Sequence, residues 1–272
     1  MEYFIGSTLW ENGRAAELGR IKALTGQAYP LLPSCCMNLL LLHPDDFIDG
    51  SRARIGGRRL EHLRQVHRAE AGAVVRAGLL NGATGTAQLL SLKEHAELLF
   101  TPDGQSPAPL PLTLVLALPR PKMLRRILQG ATAQGVKRLY LVNSYKVEKS
   151  FWQTPFLQPE AVREQLVLGL EQAVDTVLPQ VELRTRFKPF VEDELPAIAA
   201  GTRALMAHPG DHPPCPVALK QPCTLAIGPE GGWIPYEVEL MQQAAGFEAV
   251  SLGARILRVE TAVTALLARL YP

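Results

Sequence analysis

The sequence predicts an α/β protein in which a small β-rich region precedes a larger domain built on a mostly parallel sheet. Three observations carry this. From residue 110 onward, strand-like apolar runs alternate with stretches of helical periodicity, the pattern of strands joined by crossover helices. Between residues 37 and 99 the apolar runs are short and separated by turns. Between the two regions lies 101–109, Thr-Pro-Asp-Gly-Gln-Ser-Pro-Ala-Pro, whose prolines and glycine oppose regular structure and mark a domain linker.

Composition narrows the class. Of 272 residues, 47% are apolar and 20% charged, so a disordered chain is excluded. Lys plus Arg number 28 against 26 Asp plus Glu, a formal net charge of +2. Cys35, Cys36, Cys215 and Cys223 contain no C-x-x-C pair, so neither a disulfide framework nor a zinc site is indicated, and no metal is expected. A reducing, cytoplasmic setting follows. The apolar stretch 31–42 is interrupted by Pro33, Ser34 and Asn38 and falls short of the ~20 residues that span a bilayer. Residues 1–28 carry three acids and three bases without the apolar run of a signal peptide.

Residues 1–36 show neither strand alternation nor a continuous helical stripe and read as an appendage, with Met37 a candidate natural start. Strands are expected at 37–42, 73–77 and 86–92, with a hairpin turn at Asn81-Gly82, because both residues tolerate the positive φ of tight turns. Beyond the linker come a strand at 112–118, a helix at 122–134 and a strand at 139–142. Pro159 opens a long helix with Val162, Leu166, Leu170, Val174 and Val177 on one face, closed by Pro179. Strands at 181–187, 203–207, 224–227 and 249–252 follow, with helices at 236–245 and 259–270.

Chemistry concentrates in the loops that leave three of these strands. Ile227-Gly228-Pro229-Glu230-Gly231-Gly232-Trp233 leaves a strand and precedes a helix; its glycines let a ligand approach the main chain. It matches neither the dinucleotide fingerprint nor the phosphate loop, and a tight connection that binds nothing explains a lone loop of this kind at least as well. Leu252-Gly253-Ala254-Arg255-Ile256-Leu257-Arg258-Val259-Glu260 puts two arginines and a carboxylate at a second strand end. Arginine there can bind phosphate, and Glu260 in a first helical turn also suits the helix dipole. Met206-Ala207-His208-Pro209 ends a third strand. Separately, Arg52, Arg54, Arg58, Arg59, Arg64 and Arg68 form a basic stripe with only Glu61 opposing them between residues 52 and 68. That is the footprint of either phosphate-backbone contact or a solvated helix face.

Together, I-G-P-E-G-G and L-G-x-R-I-L-R-x-E-T-A resemble the 16S ribosomal RNA uridine N3-methyltransferase family, a branch of the knotted SPOUT methyltransferases. The resemblance spans residue 37 to the C-terminus. It implies a SPOUT α/β knot, with a deep C-terminal trefoil knot at 110–272, and an N-terminal small β-barrel, PUA-like RNA-binding domain at 37–100. S-adenosylmethionine would lie against Ala207, His208, Ile227, Gly228, Pro229, Glu230, Gly231, Gly232, Leu252, Gly253, Ile256, Leu257 and Arg258. Arg255 or Arg258 would stabilise the uracil anion and Glu260 would take the N3 proton. The basic stripe would hold RNA, the substrate would be 16S rRNA in the small ribosomal subunit, and the enzyme would be a homodimer. Where the family reads Lys-Ala-Thr-Glu-Leu-Gly-Val, this chain has Gly130-Ala131-Thr132-Ala133-Gln134-Gly135-Val136. Ala173-Val174-Asp175-Thr176 likewise follows Glu171-Gln172 where the family carries a nearby arginine. These departures bear on RNA docking. Methylation of another RNA base, a non-catalytic assembly factor and, least, a small-molecule enzyme are the rival readings.

Overall fold

Two sheets organise the chain in a computed structural model that describes residues 38–65 and 70–272. The expected appendage at 1–36 and Arg68 lie outside the described residues. The first sheet contains β1 (Leu40–Leu42), β2 (Arg52–Ile55), β3 (Val74–Leu79), β4 (Thr84–Leu92) and β5 (Ala96–Gly104), in the order β1-β3-β4-β5-β2. Only the β1–β3 pairing is parallel. β2 alternates Arg52 and Arg54 outward with Ala53 and Ile55 inward, the two-residue period of a half-buried strand. Helix α1 (Gly57–Gln65) adds Leu60 and Leu63 to the same core. β1 and β2 are not paired with each other, so the sheet curls around its core as an open barrel.

The expected hairpin forms between β3 and β4. Asn81 takes φ 59°, and Gly82 N–H donates to the Leu79 carbonyl at 2.7 Å. The linker is shorter than the sequence suggested, because β5 continues through Thr101 and Pro102 to Gly104. Pro102 cannot donate to a ladder, but it sits where β4 is irregular, opposite Gly85 at a register shift. Gly85 is required there, since a Cβ would lie 2.2 Å from the Thr101 carbonyl oxygen.

The second sheet is wholly parallel: β6 (Leu112–Ala117), β7 (Arg138–Val142), β8 (Gln180–Arg184), β9 (Arg203–Ala207), β10 (Cys223–Ile227) and β11 (Glu248–Val250). Its order is β11-β9-β10-β6-β7-β8. The central β6 and β10 are buried along their whole length, as strands covered on both faces must be. Cover comes from α2 (Pro121–Ala133), α3 (Pro159–Ala173), helical turns over 187–199, α4 (Pro235–Ala245) and α5 (Val259–Leu270). Where α2 meets α3, a Cβ on Gly169 would lie 2.7 Å from the Gln129 carbonyl oxygen, whereas Gly130 faces open space. Gly130→Ala is therefore expected to stabilise by about 0.5–1 kcal/mol. Gly169→Ala should destabilise by about 1–3 kcal/mol through overpacking. Urea midpoints of the two variants check the opposite signs.

α3 ends earlier than its apolar spacing implied. Val174 turns into the left-handed region at φ 56°, and Val177 leaves the helix. The residues beyond are held elsewhere: Asp175 pairs with Lys137 at 2.5 Å, and the Thr176 carbonyl accepts from Asn81 N–H at 2.7 Å. Thr176 Oγ1 also donates to the Gly82 carbonyl at 2.5 Å. With Leu39, Leu41, Leu80, Val167 and Leu170 beneath, this joint gives the two sheets a shared core. β8 likewise stops at Arg184, short of the expected Phe187, where helical turns begin.

β9 and β10 are parallel neighbours, a relation usually bridged by a helix, yet 208–222 contains none. This loop is hydrogen-bonded to Ser251, which precedes 252–258, and to the end of α5. Ser251 N–H donates to the Pro213 carbonyl at 2.9 Å, and Cys215 N–H to the Ser251 carbonyl at 2.8 Å. Farther on, Leu219 N–H donates to the Leu270 carbonyl at 2.7 Å. Cys215 and Cys223 are buried here and pack in the core of the parallel sheet. Burial pushes the Cys223 thiol up to about 12, and Cys215 also upward. Since the thiolate is the nucleophile, iodoacetamide at pH 8 should alkylate Cys223 roughly three orders of magnitude more slowly in native than in unfolded protein. Peptide mass spectrometry reads the ratio, and comparable rates would contradict the burial.

Candidate functional site: a pocket and an adjoining cleft

The last residues of β9, β10 and β11 are in register, with Ala207 opposite both Ile227 and Val250. The three following loops therefore start at one level and enclose one pocket at the carboxyl end of the sheet, where parallel α/β folds bind ligands. Ala207 and His208, then Ile227, Gly228, Pro229, Glu230 and Gly232, then Leu252, Gly253, Arg255, Ile256 and Leu257 line it. The structure thus brings together the three motif loops singled out in the sequence. It adds Pro209, Val259 and Ala262, which lie within the quoted motifs but were not assigned to the pocket, and Val250, Ser251 and Leu266, ordinary apolar or small residues flanking the motifs. Gly231 and Arg258 do not line this pocket.

Local geometry explains the glycines. Gly232 and Gly253 take φ 70° and 109°, conformations that a Cβ strains. Gly231 turns away from the pocket: its carbonyl accepts from Lys146 Nζ at 2.6 Å, and a Cβ there would meet the Lys146 side chain at 2.7 Å. Glu230 accepts from Arg120 N–H at 3.0 Å, tying the loop to the start of α2. From the other side, Glu237 Oε1 accepts from Tyr145 N–H at 2.8 Å and Oε2 from Ile234 N–H at 3.0 Å. This buried carboxylate was not singled out in the sequence. Its signal is a glutamate three residues after the residue that starts a helix.

A larger cleft of about 900 Å³ adjoins the pocket and shares Glu230, Ile256, Leu257 and Val259 with it. Its remaining walls include Arg120, Lys122, Phe151, Phe156, Arg258 and Glu260. Arg258 stands immediately before α5 and Glu260 lies in that helix's first turn. Among the described residues, no carboxylate lies within ion-pairing distance of Arg120, Lys122, Arg255 or Arg258. Glu148 lines the cleft as well, so its three cations are matched by the three carboxylates Glu148, Glu230 and Glu260; the cations stay out of ion pairs and can turn toward an anionic ligand.

The basic stripe is different. Tertiary folding gives its arginines partners that the local sequence did not show: Arg52 pairs with Asp49, Arg54 with Glu97 and Arg58 with Glu171. Arg59 grips Asp46 with both terminal nitrogens, at 2.5 and 2.7 Å, and also donates to the Leu41 carbonyl. Arg64 lies 3.6 Å from Glu61 and donates to the Lys93 carbonyl. Strand and helix geometry thus sets a carboxylate beside each of the five described arginines of the stripe, while Arg52, Arg54, Arg58 and Arg64 keep exposed side chains. Burial raises Glu171 above its ordinary value despite Arg58. Among the described residues no cluster of His, Cys, Asp and Glu could hold a metal ion, and no helix is long and apolar enough to cross a membrane.

Residues 106–271 match the family described as RNA methyltransferase domain. A ribosomal RNA small subunit methyltransferase E from Treponema pallidum is 30% identical over 236 residues, 84% of this chain and 88% of the relative. One from Synechocystis is 31% identical over 250 residues, 85% and 76% of the two chains. Among solved structures, the Neisseria gonorrhoeae methyltransferase E bound to S-adenosylmethionine is 24% identical. It covers 86% of this chain and 96% of its own, at a TM-score of 0.66. A putative methyltransferase from Legionella pneumophila, also in complex with S-adenosylmethionine, reaches a TM-score of 0.69 at 20% identity, covering 85% and 96%. The in-register strand ends, the glycine-shaped pocket and these likenesses agree: the chain belongs to the RNA methyltransferase domain family, alongside the small-subunit methyltransferases E.

Proposed function

We propose that this protein transfers a methyl group from S-adenosylmethionine to N3 of a uridine in the 16S rRNA of the small ribosomal subunit. The observation that carries the reading is the shared wall between an apolar, glycine-shaped pocket and a cleft in which Arg120, Lys122 and Arg258, not ion-paired among the described residues, stand with the carboxylate of Glu260. The pocket fits the cofactor: small residues and main chain at Gly228, Gly232 and Gly253 admit close approach, and apolar Ile227, Leu252 and Leu257 suit an adenine ring. When bound, S-adenosylmethionine supplies an electrophilic methyl group. Arg120, Lys122 and Arg258 would hold the RNA so that a splayed uridine edge faces the pocket. N3 must lose its proton as the methyl arrives; Arg258 stabilises the resulting charge and Glu260 accepts the proton. Glu260→Gln is expected to lower turnover about 10²-fold and flatten its pH dependence, as loss of a general base does.

In this reading the loop 208–222 encircles 252–258 as the trefoil knot of SPOUT proteins, a rare exception to unknotted chains. Hydrogen bonds from that loop to Ser251, which precedes the segment, and to the end of α5, which follows it, support the reading. The open barrel over 38–104 is then the PUA-like RNA-docking domain, and the protein works in the cytoplasm as a homodimer. Ile256, 85% exposed on the common wall, is a residue that a second subunit would cover. Small subunits lacking the modification, incubated with protein and methyl-labelled cofactor, test the reaction after nucleoside digestion and mass spectrometry. New 3-methyluridine is expected. A different methylated nucleoside would move the activity to another base, and no transfer despite cofactor binding would refute the substrate.

A further inference from the structure

A third hollow, of about 530 Å³, opens between the loop after β7 and the start of α4, away from the pocket and cleft already described. Its construction is that of a binding site. Ser144 lines it at 3% exposure, and the Ser144 hydroxyl has no hydrogen-bond partner among the described residues. A buried hydroxyl without a partner is destabilising until a ligand atom meets it. At the rim stand two bare aromatic rings, Tyr145 at 80% and Tyr236 at 50% exposure. Trp152 forms an inner wall, its ring fixed by a 2.9 Å bond from Nε1 to Asn143 Oδ1. Lys149 also lines the hollow and forms no ion pair among the described residues, while Lys188 sits 3.6 Å from Glu192 at the surface. The buried Glu237 carboxylate is engaged by main-chain N–H groups on both oxygens, as described above.

The position of this hollow matters as much as its lining. The turn Lys149–Gln153 is a 3-10 helix, in which residues three apart eclipse one another. Lys149 and Trp152 accordingly line the hollow, while Glu148 and Phe151 line the cleft of Arg258. One short rigid turn separates the two spaces. Exposed aromatic rings beside cationic side chains, with a polar atom on the floor, recognise a nucleobase and its phosphate.

We infer that this hollow binds an unpaired nucleotide flanking the target, its base stacked against Tyr145 and Tyr236, its edge bonded by Ser144 and its phosphate near Lys149. The inference rests on the target uridine occupying the Arg258 cleft, so that an RNA strand crosses the 149–153 turn with one base on each side. The test uses the full chain, a fluorescein-labelled ten-residue oligouridylate and anisotropy titration. The double variant Tyr145→Ala, Tyr236→Ala is expected to bind the oligonucleotide about ten- to a hundred-fold more weakly. Ser144→Ala should weaken it several-fold, with S-adenosylmethionine affinity retained in both. With small subunits as substrate, the loss should fall on KM. Unchanged oligonucleotide affinity in the double variant, or no binding by the unaltered protein, would overturn the inference. So would retained RNA affinity with a shift toward monomer in analytical ultracentrifugation, which would mark the rim as an interface between copies. Should the unaltered protein methylate no subunit RNA, the proposed function fails while the oligonucleotide comparison still reads the hollow.

Discussion

Arg258→Ala is expected to lower kcat for methyl transfer about 10²- to 10³-fold, the range for removing one donor aimed at developing negative charge. When N3 loses its proton the charge spreads to the uracil carbonyl oxygens, and Arg258 is an unpaired guanidinium in the cleft where that charge would develop. Arg255 lines the glycine-shaped pocket instead, whereas the resemblance placed Arg258 against the cofactor and left either arginine to stabilise the uracil anion. Arg255→Ala should consequently affect cofactor affinity more than turnover. Single-turnover assays on unmodified small subunits, with calorimetry for the cofactor, separate the two effects. An Arg258→Ala enzyme with normal kcat would remove Arg258 from the chemistry.

Glu237→Ala should cause the largest stability loss, roughly 2–5 kcal/mol from losing together two main-chain hydrogen bonds to a charged, buried acceptor. The carboxylate, 2% exposed, is the common acceptor for Tyr145 and Ile234 and so joins the β7 loop to the start of α4. For a domain this large the melting temperature should fall by about 5–15 °C, at 2–4 °C per kcal/mol. Glu237→Gln keeps one carbonyl acceptor and should recover about half of the loss. Thermal unfolding of the three proteins checks the order; an alanine variant as stable as the parent would mean that water replaces both bonds.

The parallel sheet was legible because its strands are buried on both faces and read as continuous apolar runs, 112–118 and 224–227 above all. Helix ends were legible where capping chemistry is local, as at Pro159 and Pro235. The C-terminus of α3 was not, because Val174 and Val177 continue the apolar spacing while the competing bonds to Thr176 come from residues about ninety positions away. β5 was hidden for a related reason. Pro102 reads as a breaker in isolation and is tolerated only because β4 is irregular opposite it.

The motif loops were fixed in the chain itself: glycines at positions of positive φ, and a strand leading into each loop, are local properties that survive without knowledge of the fold. Which arginines remain free was decided only in three dimensions. Arg59 and Arg258 are equally basic in sequence, yet one is locked to Asp46 and the other faces an open cleft. Charge compensation depends on side chains brought within a few ångströms by strand register and helix packing, and neither composition nor spacing encodes those distances.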